Sequence, residues 1–321
     1  MDSQKKQSMK TAFLNLRNHR KAYLICSVGQ RYIDMVEELV RQLDKYSSFP
    51  VFLYYSDGQV NFDFPNLIKQ KFEIDSSIKY EIEGINPESV KTLMLTTVKP
   101  RACKLLLENY EVDEFVFLDS DVLVTPAIDS VFLNYGDSIS NFPIFLRYSW
   151  DWVTTNGKQH VADIILERIG ISRAPTVTSL CTCLFIANRN CKSFLSDWEK
   201  YCSDPEIIKF ALSPEGYGGF TDESVANAVA WLYRCNISIP TNLCWAWKYE
   251  PVKYVFDFYD GIISDLERHT SQPTHYKLSG ENEVPFGLSV IPERKNNFLG
   301  FHFIKDLETI KKVAEEIEKR F

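Results

Sequence analysis

The chain has 321 residues, 45% of them apolar and 25% charged, with only 13 Gly and 14 Pro. That excludes low-complexity, collagen-like and disordered classes, and the length suits one large α/β domain or two smaller ones. The net charge of −7 argues against a general nucleic-acid binder, and 22 Phe, 16 Tyr and 6 Trp point to a thick core with ring-lined pockets.

The charge is uneven along the chain. Residues 1–21 carry Lys5, Lys6, Lys10, Arg17, Arg20 and Lys21 against Asp2 alone. One reading is a solvated, frayed leader. The other is peripheral attachment to an anionic membrane, since Met9, Phe13, Leu14 and Leu16 interleave with the cations. The leader lacks the apolar core of a signal peptide, and no run reaches membrane-spanning length. The eight cysteines form no CxxC pair, so buried free thiols are expected rather than disulfides or zinc, in a cytoplasmic chain.

Ala22–Ser27 is a short apolar run that predicts a buried strand, and residues 32–43 repeat Ile33, Val36, Leu39, Val40 and Leu43 at helical spacing. Val51–Tyr55 predicts a second strand ending in the turn Ser56-Asp57-Gly58. Strand, helix and strand in so few residues make a βαβ unit with parallel strands. A helix is expected over 100–110, strands at Phe115–Leu118 and Leu180–Ala187, and helices around Phe194–Tyr201 and Asp222–Tyr233. Residues 305–321 form an amphipathic C-terminal helix with Leu307, Ile310, Val313 and Ile317 on one face. With no repeat and no linker, residues 22–304 read as one α/β domain with insertions around a central, mainly parallel sheet flanked by helices.

Asp119-Ser120-Asp121 follows the strand Phe115–Leu118 directly. Parallel strands end where ligands bind. Carboxylates at i and i+2 point to one side of a strand and can share a hard divalent cation, which in turn grips a diphosphate. The competing reading is a pair of solvated turn aspartates.

Residues 99–124, with Lys99-Pro100 ahead of Phe-Val-Phe-Leu-Asp119-Ser120-Asp121-Val-Leu-Val, resemble the centre of a GT-A (Rossmann-like) fold glycosyltransferase. They are most similar to the retaining, nucleotide-sugar-dependent enzymes of family eight and related bacterial transferases. The resemblance implies a nucleotide held by the first βαβ unit, with Tyr32 stacked on a uracil ring and Asp57 near the nucleoside. Gly29 stands where the family has an acid. Lys99 is implied to reach the donor, the alternative being an exposed lysine at a helix start. Where the family has Asn-x-Gly this chain has Cys181-Thr182-Cys183, leaving Thr182 as the candidate sugar contact. Asp222-Glu223-Ser-Val-Ala-Asn227 keeps the spacing of the family's Asp-Gln-x-x-x-Asn, and makes Asp222 and Glu223 the catalytic candidates; a helix N-cap is the bland alternative. Phe301-His302-Phe303 with Lys305 resembles the family's ending, in which a His completes the metal site and a Lys holds the diphosphate.

The resemblance implies a Mn²⁺- or Mg²⁺-dependent transfer of sugar from a UDP-sugar to a glycan or other hydroxyl acceptor. Asp119, Asp121 and His302 would bind the metal; Ser120 and Lys305 would lie on the donor. The Asp222-to-Asn227 spacing resembles that of the retaining enzymes and implies retention, with an inverting enzyme as the alternative. Trp150, Trp152, Trp245 and Trp247 are candidates for an acceptor groove. Rivals of other classes are a haloacid-dehalogenase-type phosphatase and an inactive sugar-binding scaffold.

Overall fold

The computed structural model describes residues 21–72, 98–147, 166–171, 180–211, 221–235, 237–239, 243–245, 275–277, 287–289, 299–302 and 307–320. The leader through residue 20, Trp150, Trp152, Trp247 and Lys305 lie outside them.

The core is a six-stranded sheet of β1 (Lys21–Val28), β2 (Val51–Ser56), β3 (Leu67–Lys71), β4 (Glu114–Leu118), β6 (Ile144–Arg147) and β7 (Leu180–Asn188), in the order β3-β2-β1-β4-β7-β6. β5 (Leu123–Val124) belongs to a second, smaller sheet. β1, β2, β3 and β4 run parallel, while β7 runs antiparallel to both its neighbours. Five strands therefore share a direction and β7 alone is reversed. The α/β architecture expected from the sequence stands.

The strands are nearly continuous apolar runs because helices cover both faces of the sheet. Against one face lie α1 (Gln30–Tyr46) and α3 (Ser130–Tyr135), where the Phe132 ring meets Tyr23 edge-on at 5.4 Å. Against the other lie α2 (Val98–Asn109), α4 (Lys192–Cys202) and α6 (Thr221–Leu232). There Phe185 stacks on Phe117 at 4.9 Å and meets the fully buried Trp198 of α4 at 5.7 Å. A short helix, α5 (Pro205–Ala211), follows α4.

The C-terminal part of the chain builds the smaller sheet on β5. β11 (Gly300–His302) pairs with β5 and with β8 (Leu243–Trp245), while β9 (His275–Lys277) and β10 (Gly287–Ser289) form a separate hairpin. α7 (Leu307–Arg320) buries Ile310, Val313, Ala314 and Ile317, and packs on α1. Arg41 of α1 pairs with Glu318, and Lys45 lies 3.3 Å from the same carboxylate. The amphipathic tail read from the sequence is thus a docked helix. No helix among the described residues is long and apolar enough to cross a membrane.

Cys103, Cys181, Cys183, Cys191 and Cys202 are buried free thiols, and Cys26 and Cys235 are half-buried free thiols. Burial pushes the Cys191 thiol up to about 12, so it packs as an apolar group.

β11 lies so close to β5 that a Cβ on Gly300 would stand 1.9 Å from the carbonyl oxygen of Leu123. The obstacle is backbone, which cannot swing aside. Gly300→Ala is expected to lower the unfolding free energy in urea by about 1–3 kcal/mol or more. A melt that superimposes on the parent curve would mean the strand can shift freely.

Candidate active site

β4 ends at Leu118, and the next amide, that of Asp119, donates to the carbonyl of Cys183 at 2.9 Å. Pairing of Leu118 with Leu184 sets the start of β7 beside the acidic turn. On the far side of β7 the pairing with β6 jumps from Phe145–Phe185 to Leu146–Cys181. Such irregularities re-aim side chains next to sites. Thr182 lies in this stretch, and its side chain is buried among polar groups.

Four sequence candidates meet here. The Lys99 ammonium, from the first turn of α2, lies 2.9 Å from Asp119 Oδ1 and 3.0 Å from Oδ2. It lies 2.9 Å from Asp222 Oδ2 and donates to Thr182 Oγ1 at 3.2 Å. The Thr182 hydroxyl in turn donates to Asp222 Oδ2 at 3.2 Å. The alternative of an exposed helix-start lysine is therefore overturned: the Lys99 side chain is only 19% exposed. Burial alone would drive its ammonium towards the neutral form. Asp119 and Asp222 outweigh that and hold its pKa well above the ordinary lysine value.

Asp222 and Glu223 open α6, and both are buried. The Asp222 carbonyl accepts from the Trp198 indole at 2.9 Å, which fixes the helix start against α4. Glu223 turns towards the main chain of β7, where the Thr182 amide lies 3.5 Å from its Oε2. Asp222 faces the ammonium; Glu223 faces the strand. Asn227, one turn on from Glu223, accepts from the Leu180 amide at 2.8 Å and donates to the Leu180 and Glu223 carbonyls at 2.9 Å. The Asp-Glu-x-x-x-Asn spacing therefore has a local mechanical meaning: Asn227 clamps the start of β7 while Asp222 reaches the cluster.

Tyr32 and Asp57 lie along the same edge of the sheet, in the first turn of α1 and just past β2, and both are exposed. The Arg31 guanidinium sits 6.0 Å from the Tyr32 ring centre. Gln30 grips the neighbouring loop, accepting from the Gln59 amide at 2.9 Å and donating to its carbonyl at 3.1 Å. Asp57 takes a left-handed backbone, φ 52°, where that loop turns.

Asp121 and Ser120 are half-buried in the turn that Val122 closes by donating to the Asp119 carbonyl at 3.2 Å. Beyond it, the Val124 amide donates to the buried Gln42 side chain of α1 at 2.8 Å, and the Thr125 amide to Leu299 at 3.0 Å. Phe301 pairs with Leu123, so His302 is the next residue along β11 towards Val122 and Asp121. Its backbone stands opposite Trp245. Among the described residues no three His, Cys, Asp or Glu side chains form a metal cage. Two of the three metal ligands named from the sequence, Asp119 and Asp121, offer the carboxylate oxygens that a hard divalent ion takes, and Asp119 is ion-paired to the Lys99 ammonium.

Gln42, Trp198 and the clamping role of Asn227 escaped the sequence reading. Gln42 sits among the buried positions of an amphipathic helix, where a polar residue is the only signal it gives.

No family model matches the chain, and no curated protein matches it. Among solved structures, the galactosyltransferase LgtC in complex with donor and acceptor sugar analogs is 12% identical, with 92% of this chain and 95% of that chain covered and a TM-score of 0.43. A glycosyltransferase involved in glycosylating the major capsid of PBCV-1 is 10% identical, with 93% and 99% covered and a TM-score of 0.42. Mouse xyloside xylosyltransferase 1 is 8% identical, with 77% and 92% covered and a TM-score of 0.40. Likenesses this loose do not carry an activity from one chain to another.

Two outcomes follow from the cluster. Asn227→Ala leaves the amide and carbonyl of Leu180 without their partner, and is expected to cost about 1–3 kcal/mol in denaturant melts. The Lys99 pKa is raised in the folded state, so its contribution is whole below the ordinary lysine value and fades as pH climbs through the folded value. The stability gap between the parent and Lys99→Met is therefore expected to hold constant from pH 7 to about 10 and to close only above it. A gap that closes nearer neutrality would contradict the two ion pairs.

Proposed function

We propose that the chain is a GT-A glycosyltransferase that takes sugar from a nucleoside diphosphate donor, with UDP-sugar the best-supported class, and passes it to a hydroxyl acceptor such as a glycan. The observation that carries the reading is the meeting of Lys99, Asp119, Thr182 and Asp222 at the C-terminal edge of the sheet. Ammonium, carboxylate and hydroxyl within 3.2 Å of one another suit a polyol, whose hydroxyls donate to carboxylates and accept from an ammonium.

In this reading Tyr32 stacks on the base, Asp57 lies near the ribose, and Ser120 and Lys305 approach the diphosphate. Asp119, Asp121 and His302 would hold Mn²⁺ or Mg²⁺. Such an ion supplies Lewis-acid neutralisation of charge on the departing nucleoside diphosphate. Lys99 adds a fixed positive charge beside the donor. Asp222 is the residue nearest the chemistry, because it faces the polar cluster while Glu223 is engaged with β7. Retention of anomeric configuration is the favoured outcome, because the Asp222-to-Asn227 spacing resembles that of the retaining family. The backbone pairing of Trp245 with His302 supports an acceptor groove on the side of the C-terminal strand.

One observation favours a second reading, a sugar-binding scaffold. Cys181 and Cys183 are buried, and burial pushes the Cys183 thiol up, so neither offers the polar group that a transferase of this type carries there. Turnover separates the two readings.

Incubated with Mn²⁺ and a panel of nucleotide sugars, the protein is expected to release UDP, and Asp222→Asn is expected to slow release about 10²- to 10⁴-fold. Proton NMR of the first product is expected to show the anomeric configuration of the donor. Binding without release would leave the scaffold. An inverted product would retain the fold and remove the family-eight likeness.

A further inference from the structure

The Lys99 ammonium has three N–H donors and three acceptor groups: the Asp119 carboxylate, Asp222 Oδ2 and Thr182 Oγ1. Its distances of 2.9 and 3.0 Å to the two oxygens of Asp119 mean that it addresses the whole carboxylate rather than one corner of it. If Asp119 is a metal ligand, as the proposed function holds, a divalent ion and this ammonium claim the same group. Two cations on one carboxylate repel strongly at such separations in a half-buried site.

The contest is not symmetrical. Lys99 has a second berth: Asp222 and Thr182 retain it if it lets go of Asp119, so its charge is never left uncompensated. The flexible four-carbon stem allows that small withdrawal. A free ion must displace the ammonium unaided. An ion arriving with a diphosphate brings negative oxygens that offset the added positive charge.

We infer that Lys99 is a built-in competitor of the divalent ion at Asp119, which makes metal binding conditional on the nucleotide. This rests on the reading of Asp119 as a metal ligand. Its consequence is an ordered site: the ammonium keeps Asp119 neutralised while no donor is present, and gives way only to metal and diphosphate together.

The test is titration of the full-length chain with Mn²⁺, followed by the electron paramagnetic resonance signal of the free ion, with and without UDP. The parent is expected to bind Mn²⁺ weakly alone and much more tightly with UDP. Lys99→Met is expected to tighten Mn²⁺ binding in the absence of UDP by about tenfold or more. Lys99→Gln keeps a hydrogen-bonding group without the charge and is expected to move the same way, so the test survives if the methionine variant fails to fold. Adding Asp119→Asn to either variant is expected to abolish the gain. If the parent binds Mn²⁺ with UDP but neither Lys99 variant binds the ion alone more tightly, the competition is overturned and the metal reading stands. If no variant binds Mn²⁺ even with UDP, or the gain survives Asp119→Asn, the metal reading of Asp119 falls and the competition falls with it.

Discussion

The ion pairs that Lys99 makes with Asp119 and Asp222 are the constraint around which the described site is organised. Three segments far apart in sequence, the start of α2, the end of β4 and the start of α6, meet at one nitrogen. Taking such groups out of water is unfavourable for each one separately, and removing one partner of a buried pair typically costs about 3–5 kcal/mol. The cluster therefore exists only because the surrounding fold holds it. Asn227 and Trp198 fix the start of α6, and the Cys183 carbonyl fixes the first amide of the turn.

The reversal of β7 gives this arrangement its economy. A parallel strand next to β4 would leave the sheet at the same edge as Asp119. Running the other way, β7 enters there, so its first residues meet the last of β4. Thr182 and Asn227's partner Leu180 lie in those first residues. The polar groups are thus carried by rigid elements rather than by a long loop, as a preorganised site requires.

Much of this was legible in the sequence because the signals were local. Apolar runs marked β1, β2, β4 and β7, and helical periodicity marked α1 and the C-terminal helix. Asp119 could be picked out because an acid directly after a buried strand is conspicuous. Lys99 could not be decided between donor contact and exposed surface, since its partners lie 20 and 123 positions away and only the fold brings them near. The short strands β3, β6 and β8 to β11 were missed: runs of three to five residues carry too little periodicity to separate from loops. The direction of β7 was equally hidden, because a strand buried on both faces reads the same from either end.

The acidic turn is held from two opposite sides, and that bears on how the C-terminal strand and the site depend on each other. Gln42 of α1 accepts from Val124, while Leu299 accepts from Thr125, so the stretch after Asp121 is strung between the first helix and the strand that carries His302. The same first helix receives α7 through Arg41, Lys45 and Glu318. The end of the chain is thereby tied to the acidic turn twice, once directly through β11 and once through α7 and α1. A buried amide such as Gln42 contributes little net stability if its bond is merely exchanged for one to water, yet leaving Val124 unpaired would cost the full desolvation of its amide. That bond ties β5 to α1 at Val124, the residue that pairs with Gly300 of β11, and so holds the stretch leading out of the acidic turn to both elements at one point.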